Sequence, residues 1–188
     1  MATATPTITN GVNVTQLVDT IEMIKKDASL ARFRFRSRTR WEQGGRCATE
    51  ITGFYGAGAE VTRARTHTLA GDEPPVLLGS DTAPNAVEAV LHALAACISV
   101  GYVYNAAARG ITIETLRFDA EGELDLHAFL GLSETVRPGF ERITFTATVK
   151  ADAPRAKLEE LCEYVQRTSP VLDIIRNPVP VSIRLVSE

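Results

Sequence analysis

Three residues of this chain carry a thiol, Cys47, Cys97 and Cys162, and a thiol acts as a nucleophile only when it is ionised. Cys97 has the context best suited to such chemistry. It lies in a long, nearly uncharged run from Asn85 to Arg109, NAVEAVLHALAACISVGYVYNAAAR, where a reactive sulfur would be shielded from water. A cysteine in apolar surroundings is otherwise a small hydrophobe, so its chemistry depends on which polar groups reach it. Tyr104, two helical turns beyond Cys97 and on nearly the same face, is placed to line a pocket, with core packing as its ordinary role. His92 falls about 140° around a helix from Cys97, which turns its ring away from the sulfur. Cys47 stands beside Arg46 in a predicted strand, and Cys162 lies on the apolar face of a predicted helix. The histidines His67, His92 and His127 are scattered among different elements, so no metal site or cofactor is indicated. No GxGxxG, GxxxxGK[ST] or GxSxG pattern points to nucleotide binding or serine hydrolysis.

The elements that must position Cys97 follow from periodicity. Val14, Leu17, Val18, Ile21 and Ile24 recur at helical spacing between Val12 and Lys26, with Asn13 available as a cap. From Phe33 to Thr52 the period changes to two, as apolar Phe33 and Phe35 alternate with Arg34, Arg36, Arg38 and Arg40. Gly44 and Gly45 break or turn this strand, and Ala59–Leu69 alternates again as a second one. Glycines and prolines make residues 71–84 a loop. The long helix follows and ends at Arg109 and Gly110, a last-turn cation and a left-handed cap. Strands are expected at Ile111–Leu124 and Ile143–Lys150, a helix at Pro154–Arg167 and a closing strand at Pro180–Val186. This order of elements is α+β.

Because the long helix is apolar nearly all the way round, it must be covered on more than one side. A sheet covers one side, and an identical subunit about a two-fold axis is the most economical source of cover for the other, so a homodimer is expected. The formal charge of −3 argues against nucleic acid as a partner. Glu88, His92, Asn105 and Arg109 interrupt the apolar run, which argues against a membrane span. Cysteines in no paired pattern, together with a polar N-terminus (MATATPTITNG) unlike a secretory signal, point to the cytoplasm.

Two separated blocks, DTAPNAVEAVLHALAACISVGYVYNAAARGI and YVQRTSPVLDIIRNPVPVSIRL, resemble the OsmC/Ohr family of osmotically inducible and organic hydroperoxide resistance proteins, in a subgroup without the second thiol. The resemblance implies an intertwined homodimer, with a long buried central helix packed on antiparallel sheet, formed by residues 32–188 after an N-terminal helical extension at residues 1–31. It implies a peroxidase in which Cys97 reduces organic hydroperoxides in oxidative-stress defence, helped by a glutamate and an arginine. Glu88 matches the glutamate. Arg46, after Gly44-Gly45, best matches the arginine, with Arg38 and Arg40 as alternatives. Glu88 lies about 13 Å along an ideal helix from Cys97 and half a turn out of phase, so it would serve the Cys97 of a partner subunit. Its other reading is a first-turn carboxylate favoured by the helix dipole.

The resemblance places a resolving cysteine where this chain has Ser169, in Thr168-Ser169-Pro170. A hydroxyl cannot capture a sulfenic acid as a disulfide, so turnover would require an external thiol reductant. The alternative is a non-catalytic protein that binds a small apolar ligand or senses redox state, with Cys97 in the wall of the pocket.

Overall fold

The computed structural model describes residues 6–187 of the chain. Residues 1–5 of the polar N-terminal stretch read above for a signal lie outside the described residues, as does the last residue. Asn10 and Gly11 both adopt positive φ, 53° and 75°. That is the pair of conformations an Asn-Gly turn needs to close a two-residue hairpin. The hairpin joins β1 (Ile8–Thr9) to β2 (Val12–Asn13), a feature that the helix-first reading of this region misses. The chain divides into two compact units: Asn13–Val90 with the residues up to Ile8, and Thr9–Val12 with the residues from Leu91 onward.

In the first unit, α1 (Val14–Lys26) starts at Asn13, whose side chain accepts the Gln16 N–H. The arginine-rich stretch forms β3 (Arg34–Phe35) and β4 (Arg38–Gln43), which pair antiparallel with successive parts of β5 (Arg46–Gly56). Gly44, at φ 56°, turns β4 into β5, so the expected strand is a hairpin. β6 (Ala59–Gly71) pairs antiparallel with the other edge of β5. Among the described residues this unit has no buried apolar side chain larger than glycine's hydrogen: Phe35 is 71% exposed and Trp41 73%.

The first unit does bury one carboxylate. Asp72 is 2% exposed and begins the loop that leads to the long helix. It accepts the N–H groups of Glu73, Ser80 and Thr82 and the Thr82 hydroxyl. The Thr82 bonds lead in lowering its pKa from the ordinary 3.8 to about 2.

The long helix α2 (Ala86–Ala108) begins in the first unit and runs through the second. In the second unit it packs beside the antiparallel pair β7 (Ile113–Glu123) and β8 (Arg142–Ala151), and beside α3 (Arg155–Thr168). Leu94, Ile98, Tyr102 and Ala106, spaced four apart, bring one stripe of α2 together with Leu161 and Val165 of α3 as the core. Asn10 belongs to this unit and ties the hairpin to the end of α2, donating to the Ile111 carbonyl and accepting from the Ile113 N–H. By length and composition α2 is apolar enough to cross a membrane, but this stripe is packed as in a core helix.

The C-terminal part of the chain departs from expectation in two ways. Residues Pro170–Arg176 form a further helix, α4, with Ser169 as N-cap and Pro170 at its start. The expected closing strand at Pro180–Val186 is not formed, because within the single chain no neighbouring backbone pairs with it. Its residues are exposed, Ile183 to 94% and Leu185 to 91%.

Candidate functional site

Cys97 faces the junction of α3 and α4. Gly101, one turn further along α2, permits this approach: a Cβ there would lie 2.8 Å from Cγ1 of Val165, too close to be accommodated without movement. Val165 in turn precedes Ser169 by one helical turn. At the end of α3 the backbone of Ser169 is extended, φ −77° and ψ 115°, as the residue before a proline must be. The result places the Ser169 hydroxyl 3.2 Å from the Cys97 sulfur.

The two groups line a cleft of about 510 Å³ whose walls are Ala96, Val100, Gly101, Tyr104, Val165 and Pro170, with Asn105 and Thr168 at its polar margin. Tyr104 thus lines the pocket, as its spacing allows, with its side chain half exposed. None of the lining residues is charged. Ser169 is 5% exposed, whereas Cys97 retains partial access to solvent. Such a cleft admits a small molecule with an apolar body and presents two polar atoms, sulfur and hydroxyl, at one point of its wall.

The other residues singled out in the sequence are engaged elsewhere. Glu88, in the part of α2 that belongs to the first unit, forms a reciprocal cap: its Oε2 accepts the Asn85 N–H at 2.8 Å, while Asn85 Oδ1 accepts the Glu88 N–H at 2.9 Å. Arg46, also in the first unit, reaches Glu42 at 3.4 Å and is half exposed. Arg40 pairs with Glu50 at 3.1 Å. Cys97 is therefore the one of the three predicted catalytic residues that lies in the second unit. Cys162, on α3, packs against the core and accepts a hydrogen bond from Gln166 Nε2 at 3.3 Å. Cys47 lies opposite Trp41 and Gly71 in the sheet of the first unit.

The contribution of Ser169 as a hydrogen-bonding partner of Cys97 is what the sequence reading lacked, since Ser169 entered it only as an absent thiol. The signal was present in Ser169-Pro170, a residue type favoured at an N-cap followed by one favoured at the first helical position. Reading that pair as a helix start would have revealed α4 as well.

An α+β chain with a long apolar helix carrying a thiol into a cleft is a recognisable class of protein. A family model described as OsmC-like protein matches residues 79–184, and the chain belongs to that family. Among solved structures it is similar to an OsmC-like protein from Mycoplasma pneumoniae, at 14% identity over 77% of this chain and 89% of that one, with a TM-score of 0.58. It is also similar to an OsmC-like protein of unknown function from Vibrio cholerae, at 11% identity over 74% of this chain and 92% of that one, with a TM-score of 0.57. A third is an organic hydroperoxide resistance protein OsmC from Legionella pneumophila, at 17% identity over 76% and 90%, with a TM-score of 0.50. These likenesses establish the fold. No curated protein matches the sequence.

Proposed function

We propose that this chain is a one-cysteine thiol peroxidase of the cytoplasm, acting on organic hydroperoxides as a homodimer. The observation that carries the reading is a sulfur at the wall of an apolar-lined cleft, in contact with a buried hydroxyl. The name of the Legionella relative, a hydroperoxide resistance protein, supports the substrate class. The Cys97 thiolate attacks the distal oxygen of the hydroperoxide, the O–O bond breaks, and the departing alkoxide takes a proton to leave as an alcohol. The sulfur is oxidised to a sulfenic acid. An external thiol then attacks that sulfur and releases water, and a second thiol cleaves the mixed disulfide to regenerate Cys97.

In this reading Arg46 and Glu88 act on the Cys97 of a second copy, the guanidinium beside the sulfur and the carboxylate aiming it. Arg46 is held by one exposed ion pair, which costs little to exchange. The homodimer is supported by exposed apolar side chains along α2, among them Val100 at 53% and Tyr104 at 47%, and by the unpaired C-terminal segment. All three cysteines are free, which suits a reducing compartment.

The absence of any charged side chain in the lining favours one other reading, an apolar-ligand site with Cys97 as wall. Stopped-flow oxidation by an alkyl hydroperoxide separates the two. The peroxidase reading expects wild type to react about a thousandfold or more faster than Cys97→Ser, since the variant loses the nucleophile outright. Equal rates would leave the binding protein, with saturable apolar affinity as its positive sign.

A further inference from the structure

We infer that Ser169 is a positioning residue for the Cys97 sulfur, donating the hydrogen bond that holds the thiolate in the cleft. The inference rests on the peroxidase reading for its purpose, though not for its test.

The direction of the bond follows from counting protons. A serine hydroxyl has one proton to donate and two lone pairs to accept with. One lone pair of Ser169 Oγ takes the Leu172 N–H at 3.3 Å, as the N-cap of α4. The proton has the Cys97 sulfur 3.2 Å away. An ionised Cys97 has no proton of its own, so the contact persists as a hydrogen bond only when Oγ–H donates to Sγ. A donor to a charged acceptor is worth more than one between neutral groups, so the contact strengthens as the sulfur ionises.

Several features keep the hydroxyl where it is. Ser169 is 5% exposed, so little water competes for its proton. Pro170 fixes the extended backbone at Ser169, which is at once the C-cap of α3 and the N-cap of α4 and so is held between the two helices. Among the described residues the cleft offers the sulfur no charged lining group, which leaves this hydroxyl as a neutral source of stabilisation within the unit. The same oxygen remains within reach of the sulfur after oxidation, where the sulfenic acid oxygen becomes a further acceptor.

Alkylation of Cys97 by iodoacetamide, resolved by peptide mass spectrometry and followed from about pH 5 to about pH 9, tests the donor without any hydroperoxide. Ser169→Ala should slow Cys97 alkylation at neutral pH by about tenfold. Ser169→Thr, which restores a hydroxyl, should recover the rate to within about threefold. Ser169→Gly removes the same proton while an N-cap position tolerates it, so it repeats the measurement should alanine disturb α4. A profile for Ser169→Ala and Ser169→Gly that superimposes on wild type overturns the inference. So does a Ser169→Thr variant as slow as Ser169→Ala with a native circular dichroism spectrum. Equal hydroperoxide rates for wild type and Cys97→Ser would instead sink the peroxidase reading and leave the alkylation result standing.

Discussion

Among the described residues the second unit has a core and the first does not. Leu161 and Val165 of α3 are 0% and 1% exposed against the stripe of α2 and the β7–β8 pair. The sheet of the first unit buries no comparable side chain among the described residues, and it exposes Phe33, Phe35, Trp41 and Leu69 by half or more. Phe33, Phe35 and half-buried Phe54 cluster in this unit, with Phe33 stacked on both other rings and Phe35 tilted against Phe54. A sheet gains stability when an apolar face is covered, and an exposed aromatic cluster of this kind is the surface on which a second copy, as proposed above, would act. The difference teaches that one unit can hold both a core and the walls of a thiol cleft while the other keeps its aromatic side chains exposed.

The largest expected effect tests that comparison directly. If a second copy covers the first unit, folding and association are linked, and apparent stability falls by about 1.4 kcal/mol for each tenfold dilution. Thermal unfolding over a wide concentration range, alongside sedimentation at twice the chain mass, should show this. A melting temperature independent of concentration, with a species of one chain mass, would break the comparison and the homodimer with it.

A more local effect concerns the half with its own core. Leu161→Ala removes a fully buried side chain packed against α2 and should destabilise the protein by about 2–5 kcal/mol, measured by denaturant unfolding. The corresponding truncation of exposed Trp41 in dilute, dissociated protein should cost far less. Similar losses at both sites would mean that the first unit has a core of its own.

Much of this was legible in the residues. The long apolar run from Asn85 to Arg109 gives α2, though not which of its stripes is buried, and the alternation of arginines gives the strand that the structure divides into β3, β4 and β5. Cys97 stood out because few residues in its helix carry any chemistry. What escaped was set by short-range geometry or by distant partners. The Asn10-Gly11 hairpin is two residues long on each side, too brief for any period to register. Ser169-Pro170 signals a helix start, but α4 is only seven residues long and is followed by a segment, residues 180–186, that alternates like a strand. The segment Pro180–Val186 does alternate, but alternation alone does not make a strand. Whether a strand forms depends on a neighbouring backbone, which no pattern within the segment specifies.

The smallest effect, and the sharpest in kind, belongs to Asp72. Asp72, buried in the first unit, is saturated by three N–H groups and a hydroxyl, whereas half-buried Cys97 in the second has one hydroxyl and open space beside it. Saturation fixes a loop, while spare valence beside a cleft leaves room for chemistry. The sign of the pH effect follows from the depressed pKa, about 2 in the folded chain against the ordinary 3.8. The ionised carboxylate stabilises the fold fully above the unfolded value, and this contribution is lost as pH falls from about 4 through about 2. Asp72→Asn keeps an acceptor but removes the charge, so its unfolding free energy should be lower than wild type at neutral pH and should lose less across that acid range. The two stability curves should therefore converge as pH falls. Parallel curves for the two proteins would mean that the Asp72 loop is held by its backbone turns alone, and that its carboxylate is as unsaturated as the sulfur it is compared with.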